Sequence, residues 1–183
     1  GGPPAQRRDG VTTDLAADPE DGPEAGPQTV LAARLAASDP LFALLAHRPA
    51  LAARFRAFYD AVRAAVPLPA AVLTACRLRI AAIHGCEAEW LDRPADLDRA
   101  WLPALETGHI DELPHEVRVA LVLAERMPFG HHAIEDGEVA AATAAFTPAG
   151  AVALLTALAF FDVVCRMRLT LGIDREPVRA TGE

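Results

Sequence analysis

The sequence predicts an all-α protein, and three observations support this fold class. Hydrophobic residues make up 52% of the 183 residues, but aromatic residues make up only 5%, and Ala is abundant. Ala-rich, aromatic-poor sequence favours closely packed helices over sheets. From Gln28 onward apolar residues recur at spacings of three and four, and no segment alternates as a strand would. We therefore expect a compact helical bundle with short loops.

The domain organisation follows from a change in composition near Gln28. Residues 1–27 are rich in Gly, Pro, Asp and Glu and have no periodicity. Such a segment cannot bury enough apolar surface to offset the entropy of ordering it, so we expect it to be disordered. One helical domain is expected over 28–175, followed by a tail at 176–183.

Start and stop signals divide the domain into helices. Ser38-Asp39-Pro40 and Thr147-Pro148 each combine an N-cap with a proline at the first helical position. Arg93-Pro94 ends a helix, because the residue before proline avoids the α region, and Gly172 is a typical residue after a helix. The predicted helices are 29–37, 41–46, 49–66, 70–84, 86–92, 95–107 (with Pro103 as a weak point), 115–126, 136–146 and 147–171.

Two of these helices have apolar faces that predict how they pack. The face of helix 49–66 is predicted to be Leu51, Phe55, Phe58 and Val62. The stripe of helix 70–84 is predicted to be Val72, Leu73, Cys76, Ile80 and Ile83.

Charge and targeting signals exclude several classes of partner. The formal net charge of −8 disfavours nucleic acid, since a negative protein repels phosphate backbones. Residues 139–161 carry no charge, but the break at 147–150 leaves a stretch too short to span a membrane, so no membrane helix is expected. The first residues lack the apolar core of a signal peptide, so a cytoplasmic location is expected. Abundant Ala and Pro without any Lys are typical of high-GC bacteria.

The three cysteines, Cys76, Cys86 and Cys165, make an odd number in a chain of ordinary composition. A disulfide framework is therefore not expected, and reduced thiols are the default. Cys165 lies with Met167 on the apolar last helix, and both are expected in the core. The neighbouring Arg166 and Arg168 are expected in solvent.

The segment with the most information about function runs from Arg77 to Trp90 and reads Arg-Leu-Arg-Ile-Ala-Ala-Ile-His-Gly-Cys-Glu-Ala-Glu-Trp. It resembles the signature of the alkylhydroperoxidase D-like / carboxymuconolactone decarboxylase superfamily. Segments 41–51, 132–139 and 162–173 resemble other parts of that family in the same order, so the likeness covers about 30–175. The resemblance implies an alkylhydroperoxidase D-like bundle and a homo-oligomer, commonly a trimer or a hexamer.

The resemblance to the peroxidase branch is incomplete. That branch has an upstream Glu, a Cys-X-X-Cys pair and a downstream His. Cys86 matches the first cysteine, whereas Thr74, Glu89 and Arg93 stand at the positions of the other three groups. No resolving cysteine lies three residues after Cys86, so that internal disulfide cannot form. The decarboxylase-like branch reads Glu-Tyr-Glu-Trp, and the segment 87–90 is closer to it, with Ala88 in place of Tyr.

The same residues define a candidate site from helix geometry alone. Cys86, Glu89 and Arg93 are spaced i, i+3 and i+7, which places them on one helix face, with Trp90 beside them as a possible wall. A thiol at a helix N-terminus is usually acidified, but Glu87 and Glu89 oppose this effect.

The leading functional hypothesis is cofactor-free acid/base chemistry on a small molecule. The candidate catalytic residues are Cys86, Glu89, His84 and Glu87, with Arg93 and Trp90 binding substrate. An Arg can hold a substrate carboxylate, and a sheltered carboxylate or imidazole can move protons. This chemistry suits decarboxylation, isomerisation or lyase reactions of a small organic acid or natural-product intermediate.

Two other functions stay open. One is a one-cysteine peroxidase that uses Cys86 with an external thiol. The other is a catalytically silent binding or assembly subunit. No metal and no cofactor is expected: His131 and His132 are adjacent and cannot share a helix face.

Five of the six site residues also have a structural interpretation. Cys86 can be an inert buried thiol, and Trp90 can belong to the core or to an interface. Glu89 and Arg93 can form a surface ion pair at i, i+4, worth about 0.3–0.5 kcal/mol. His84, before Gly85, can serve as a satisfied cap residue.

Overall fold

The computed structural model describes residues 39–64 and 67–173. Of these residues 75% are helical and none is in a strand, which confirms the all-α class. The helices are α1 (Pro40–Leu45), α2 (Pro49–Arg63), α3 (Ala70–His84), α4 (Glu87–Leu91), α5 (Leu102–Thr107), α6 (His115–Arg126) and α7 (Asp136–Thr170), with 3₁₀ turns at Arg99–Trp101 and His131–Ala133. The predicted segment 1–27, helix 29–37 and tail 176–183 lie outside the described residues.

The core is formed where α3, α6 and α7 pack against one another in pairs. Each helix contributes fully buried side chains, each of which stabilises the fold by about 1.5–3 kcal/mol. The largest of them are Leu78 and Ile80 from α3, Leu121 and Leu123 from α6, and Leu154, Leu158 and Phe161 from α7. The predicted stripe of α3 is buried except at Ile83, which is half-buried.

The predicted capping signals act as expected at three helix ends. Asp39 Oδ1 accepts a hydrogen bond of 2.9 Å from the Leu41 N–H at the start of α1. Thr147 Oγ1 accepts one of 3.3 Å from the Gly150 N–H. Thr147 also breaks α7, with φ 67° and ψ 164°, at the predicted boundary between 136–146 and 147–171. After α7, Gly172 has a φ of 68°, the left-handed conformation that is common just after a helix.

The predicted face of α2 is partly wrong. Leu51 and Phe58 are 51% and 46% exposed, whereas Tyr59 and Val62 are buried. The Tyr59 ring packs against Phe42 and Phe160, so α2 turns its tyrosine side towards the core. The helix also ends at Arg63, before the predicted end at 66.

The predicted helix 95–107 is correct only in its second half. Residues 95–98 form turns, and the α-helix begins at Leu102. Pro103 lies in the first turn of α5, where its missing N–H costs no hydrogen bond. It is therefore compatible with the start of this helix and does not weaken it.

Helix α7 is the one described helix long and apolar enough to cross a membrane, by length and composition alone. Half of its most apolar stretch of 18 residues is buried inside the fold. A core helix of a soluble protein passes the same test, so this is weak evidence for a membrane span.

Candidate functional site

A tight turn at Gly85 places Cys86 in the core. Gly85 has a φ of 66°, a left-handed conformation that glycine adopts without steric cost. The N–H of Cys86 donates to the Ala81 carbonyl at 2.9 Å, and that of Gly85 donates to Ala82 at 3.2 Å. These two bonds close α3 in the pattern common at helix ends. The chain then enters α4 with the Cys86 side chain fully buried.

The thiols of Cys86 and Cys165 contact each other through a hydrogen bond. Cys165 lies on α7, and both side chains are fully buried. This hydrogen bond, then burial, raises the pKa of Cys165 above its ordinary value, and the nearby Glu89 and Asp162 raise it further. All three cysteines of the chain are described, and none is in a disulfide. Burial of Cys165 is as predicted, but its contact with Cys86 is not.

A pocket of about 230 Å³ lies above Cys86. Cys86 forms part of its floor but is not exposed to water. Glu87 and Glu106 contribute exposed carboxylates and Trp90 a half-buried ring. None of the described residues that line this pocket is basic. Its field therefore disfavours anions and leaves uncharged molecules or cations as ligands.

Glu89, a predicted catalytic residue, is held between two buried arginines. Its Oε2 accepts from Arg77 Nη1 and its Oε1 from Arg168 Nε, each at 2.9 Å. Tyr59 adds longer contacts of 3.4 Å from its hydroxyl to both oxygens. The exposed fractions of Arg77, Glu89 and Arg168 are 2%, 2% and 4%. The prediction that Arg168 lies in solvent is therefore wrong.

A rim of partly exposed groups completes this network. Arg168 Nη2 pairs with Asp39 Oδ2 at 2.7 Å, and Arg63 Nη1 pairs with Asp92 Oδ2 at 3.0 Å. Arg77 donates to the Asp92 carbonyl and lies 3.4 Å from its carboxylate. Arg77, Glu89 and Arg168 form a buried triad. Together with the rim, this triad gives three arginines and three carboxylates, so the formal charges cancel. Such balance is what a buried ionic cluster needs to be tolerated.

Three groups of the network have shifted pKa values. Burial, followed by the charge of Glu89, raises the pKa of Tyr59 to about 12. Burial acts to lower the pKa of Arg168, but its hydrogen bond to Asp39 and the charge of Glu89 raise it overall. Burial likewise acts to lower the pKa of Arg63, but the neighbouring Tyr59 and Asp92 raise it overall. All three shifts keep the network in its present protonation state over the physiological range.

Arg93 does not pair with Glu89, neither in a shared site on one helix face nor as a surface ion pair. Helix α4 ends at Leu91, so the helical spacing that would bring Arg93 onto the Glu89 face is interrupted. Instead, Arg93 Nε donates to the Trp90 carbonyl at 2.7 Å, and its guanidinium stacks 4.4 Å from the centre of the Trp90 ring. Arg93 also lines a separate cavity of about 370 Å³ with Arg99 and the apolar Leu97 and Leu102.

His84 is paired with α7 and does not act only as a local cap. Its Nε2 lies 2.7 Å from Asp162 Oδ1, and both side chains are largely buried. Arg166 holds the same carboxylate at 2.9 Å. Two residues at or just after the end of α3, His84 and Cys86, therefore contact two residues that lie on one face of α7. His84 contacts Asp162, and Cys86 contacts Cys165.

His131 and His132 have ring centres 5.7 Å apart. No group of three or more His, Cys, Asp or Glu side chains in the described part of the chain is arranged to hold a metal ion.

The partners of the site on other helices were not predicted from the sequence: Tyr59, Arg77, Asp162, Cys165 and Arg168. One signal was available, because Arg77 follows Cys76 directly within the apolar stripe of α3, where a charged residue needs a buried partner. No comparable local signal marks the residues of α7.

No protein-family model matches the chain, and neither a curated protein nor a solved structure matches it.

Proposed function

We propose that this protein is an alkylhydroperoxidase D-like thiol enzyme that reduces small uncharged hydroperoxides at Cys86. The observation that carries the proposal is the position of Cys86 in the floor of a pocket whose charged lining is entirely acidic. Within the resemblance to the superfamily, Cys86 stands at the position of the first cysteine of the peroxidase branch, which supports chemistry at this thiol. Cys86 is the one thiol among the described residues lining this pocket.

The environment of Glu89 favours this function over the acid/base chemistry first expected. Both carboxylate oxygens of Glu89 are engaged by Arg77 and Arg168, and the side chain is 2% exposed. A general base must reach the proton that it abstracts, directly or through one water. In addition, Glu87 and Glu106 would repel the carboxylate of an organic acid from the pocket. A neutral hydroperoxide is not repelled by these two carboxylates.

The proposed reaction needs only the sulfur of Cys86 as nucleophile. The thiolate attacks the terminal oxygen of the hydroperoxide, the O–O bond breaks, and the alcohol leaves after it takes up a proton. The sulfur is oxidised by two electrons to a sulfenic acid, and a thiol reductant returns it to the thiol. Since Cys86 is fully buried, side chains that line the pocket must move aside for the peroxide to reach the sulfur.

The test is consumption of tert-butyl hydroperoxide with dithiothreitol as reductant. We expect Cys86→Ser to lose at least about 100-fold of the wild-type rate, because the nucleophile is removed. Cys76→Ser is the matched control, because Cys76 is also fully buried but lines neither described pocket. Equal rates for the wild type and Cys86→Ser would contradict the proposal, as would a wild type without activity.

A second candidate function is acid/base catalysis on a small molecule, and the His84–Asp162 pair favours it. A carboxylate 2.7 Å from an imidazole fixes its orientation, as in many general bases. Turnover of small organic acids or natural-product intermediates that is lost in His84→Gln but kept in Cys86→Ser would support this candidate. If neither chemistry is found, a silent binding or assembly subunit becomes the better description.

We also propose that the chain forms a homo-oligomer, a trimer or a hexamer. Exposed apolar side chains on two helices support this: Leu51 and Phe58 on α2, and Val152 and Val163 on α7. Exposed apolar surface of this kind commonly marks a protein interface. Sedimentation equilibrium of the full chain tests it, and a monomer at all concentrations would contradict it.

A further inference from the structure

We propose that Cys165 is the resolving cysteine of Cys86, so that the two form a redox-active disulfide between α7 and the turn after α3. This inference rests on the proposed function, because Cys165 acts only once Cys86 has been oxidised. A second cysteine in the usual position, three residues after the first, is absent here, since Glu89 stands there.

The contact between the two sulfurs carries the inference. They are joined by a hydrogen bond in the folded protein, and both side chains are fully buried. A disulfide needs sulfur atoms about 2.0 Å apart on Cα atoms about 4.4–6.8 Å apart, and the hydrogen bond already brings the two sulfurs close to each other. A contact between cysteines 79 positions apart in the sequence is therefore already arranged for bond formation.

A second contact beside the thiols fixes the position of the two backbone segments relative to each other. His84 and Asp162 lie next to Cys86 and Cys165 and join the same two parts of the chain at 2.7 Å. On the other side of the turn, the Cys86 N–H donates to the Ala81 carbonyl. The two cysteines are thus held by neighbouring bonds that do not depend on the sulfur atoms. Oxidation of the pair is expected to leave the fold intact.

The two cysteines have different surroundings, which assigns their roles. Cys86 forms part of the pocket floor, whereas Cys165 is not among the residues lining either described pocket. A hydroperoxide in the pocket therefore meets Cys86 first. The hydrogen bond from Cys165 and its burial raise its pKa, so Cys165 keeps its proton until the sulfur of Cys86 becomes electrophilic.

The chemistry balances in two steps. Cys86 takes one oxygen from the hydroperoxide, becomes a sulfenic acid and releases an alcohol. The sulfur of Cys165 then attacks the sulfenic sulfur, the S–O bond breaks, the S–S bond forms, and water leaves with the proton of Cys165. An external dithiol reduces the disulfide and restores both thiols. Two electrons pass from the dithiol to the hydroperoxide in each cycle.

Cys76 provides the internal control. It is also fully buried, and burial alone raises the pKa of its thiol. Its side chain lies on α3 away from the pocket, and no thiol contact to it is present among the described residues. Burial without a partner thiol predicts an unreactive cysteine.

The experiment oxidises the full-length protein with one equivalent of tert-butyl hydroperoxide. The sample is then quenched in acid, its remaining thiols are alkylated under denaturing conditions, and its digest is analysed by mass spectrometry. We expect a cross-linked peptide pair containing Cys86 and Cys165 and one alkylated cysteine, Cys76, in the wild type. Cys76→Ser is expected to form the same cross-link. The wild-type result does not depend on whether any variant folds.

Dimedone, which traps sulfenic acids, separates the possible outcomes. In Cys165→Ser, and in Cys165→Ala as a second variant, we expect the Cys86 adduct to accumulate and excess peroxide to drive Cys86 to sulfinic acid. A dimedone adduct on Cys86 of the wild type without a disulfide would overturn the role of Cys165 and leave the proposed function standing. Absence of any oxidation at Cys86 would overturn both.

Discussion

Replacing Glu89 with Gln tests whether the buried triad is structural. The substitution keeps the size of the side chain but removes the negative charge between Arg77 and Arg168. The two guanidinium groups then remain buried, at 2% and 4% exposure, without the carboxylate that holds both of them. Breaking a buried ion pair by removing one partner costs about 3–5 kcal/mol, because the remaining charge is left uncompensated.

The expected consequence is a large fall in thermal stability. For a domain of 150–250 residues, 1 kcal/mol shifts the midpoint of unfolding by about 2–4 °C, so Glu89→Gln is expected to lower it by roughly 6–20 °C. Glu87→Gln is the matched control, because Glu87 lies on the same helix but is exposed and makes no described ion pair. Its effect is expected to stay within about 0.5 kcal/mol. Differential scanning calorimetry of both variants measures the difference.

The same variant also separates a structural role of Glu89 from a catalytic one. Well below its midpoint of unfolding, Glu89→Gln is expected to consume hydroperoxide at a rate close to that of the wild type. A midpoint within about 2 °C of that of Glu87→Gln would refute the reasoning about the buried triad. If activity were also lost in such a stable variant, Glu89 would be a catalytic residue as first expected.

Three further predictions concern individual residues. Tyr59, the one tyrosine of the chain, is expected to ionise near pH 12 in the folded protein, against about 10 when unfolded, in an absorbance titration at the tyrosinate band. Because folding raises the pKa of Tyr59, its neutral hydroxyl contributes roughly 2–3 kcal/mol to the free energy of unfolding. This contribution is complete below pH 10 and is lost as the pH rises towards 12. A titration of the folded protein with the unfolded pKa would contradict this expectation. Thr147→Gly should raise the midpoint of thermal unfolding, because it relieves about 1–3 kcal/mol of backbone strain. Thr147→Ala should lower this midpoint, because it removes the hydrogen bond of the helix cap. Equal shifts of the two variants in calorimetry would argue against strain at Thr147. Gly108→Ala should destabilise the fold by at least about 1 kcal/mol in urea titrations. The backbone of Gly108 has a φ of 85°, and the new methyl group would overlap Arg79 and lie 2.9 Å from Glu125 Oε1. A neutral effect would show that Arg79 moves aside.

Much of the helical framework could be predicted, because local signals determine it. The bounds of α3 and α6 agree with the predicted 70–84 and 115–126. The break in α7 at Thr147 was also predicted, since a capping residue followed by proline acts within a single turn. The face of α2 was not, because Ala occupies much of its surface and the polar tip of Tyr59 disguises a buried residue.

The candidate site could be predicted only where its residues are close in sequence. Cys86, Glu87 and Trp90 come from one segment, and they do line one pocket. The partners Asp162 and Cys165 could not be found, because their contacts depend on how α7 crosses the end of α3. Arg93 was misplaced for a related reason: the helical spacing applied to it continued past Leu91, where α4 ends.

The reactivity of Cys86 in the folded protein is the most direct test of the central claim. Its second-order rate constant with tert-butyl hydroperoxide can be followed by mass spectrometry in native buffer and again after unfolding in urea. The account predicts that Cys86 reacts at least about tenfold faster in the folded protein, because the pocket holds the hydroperoxide next to its sulfur. Slower oxidation in the folded protein than in the unfolded chain would contradict the account, because the fold would then only bury the thiol.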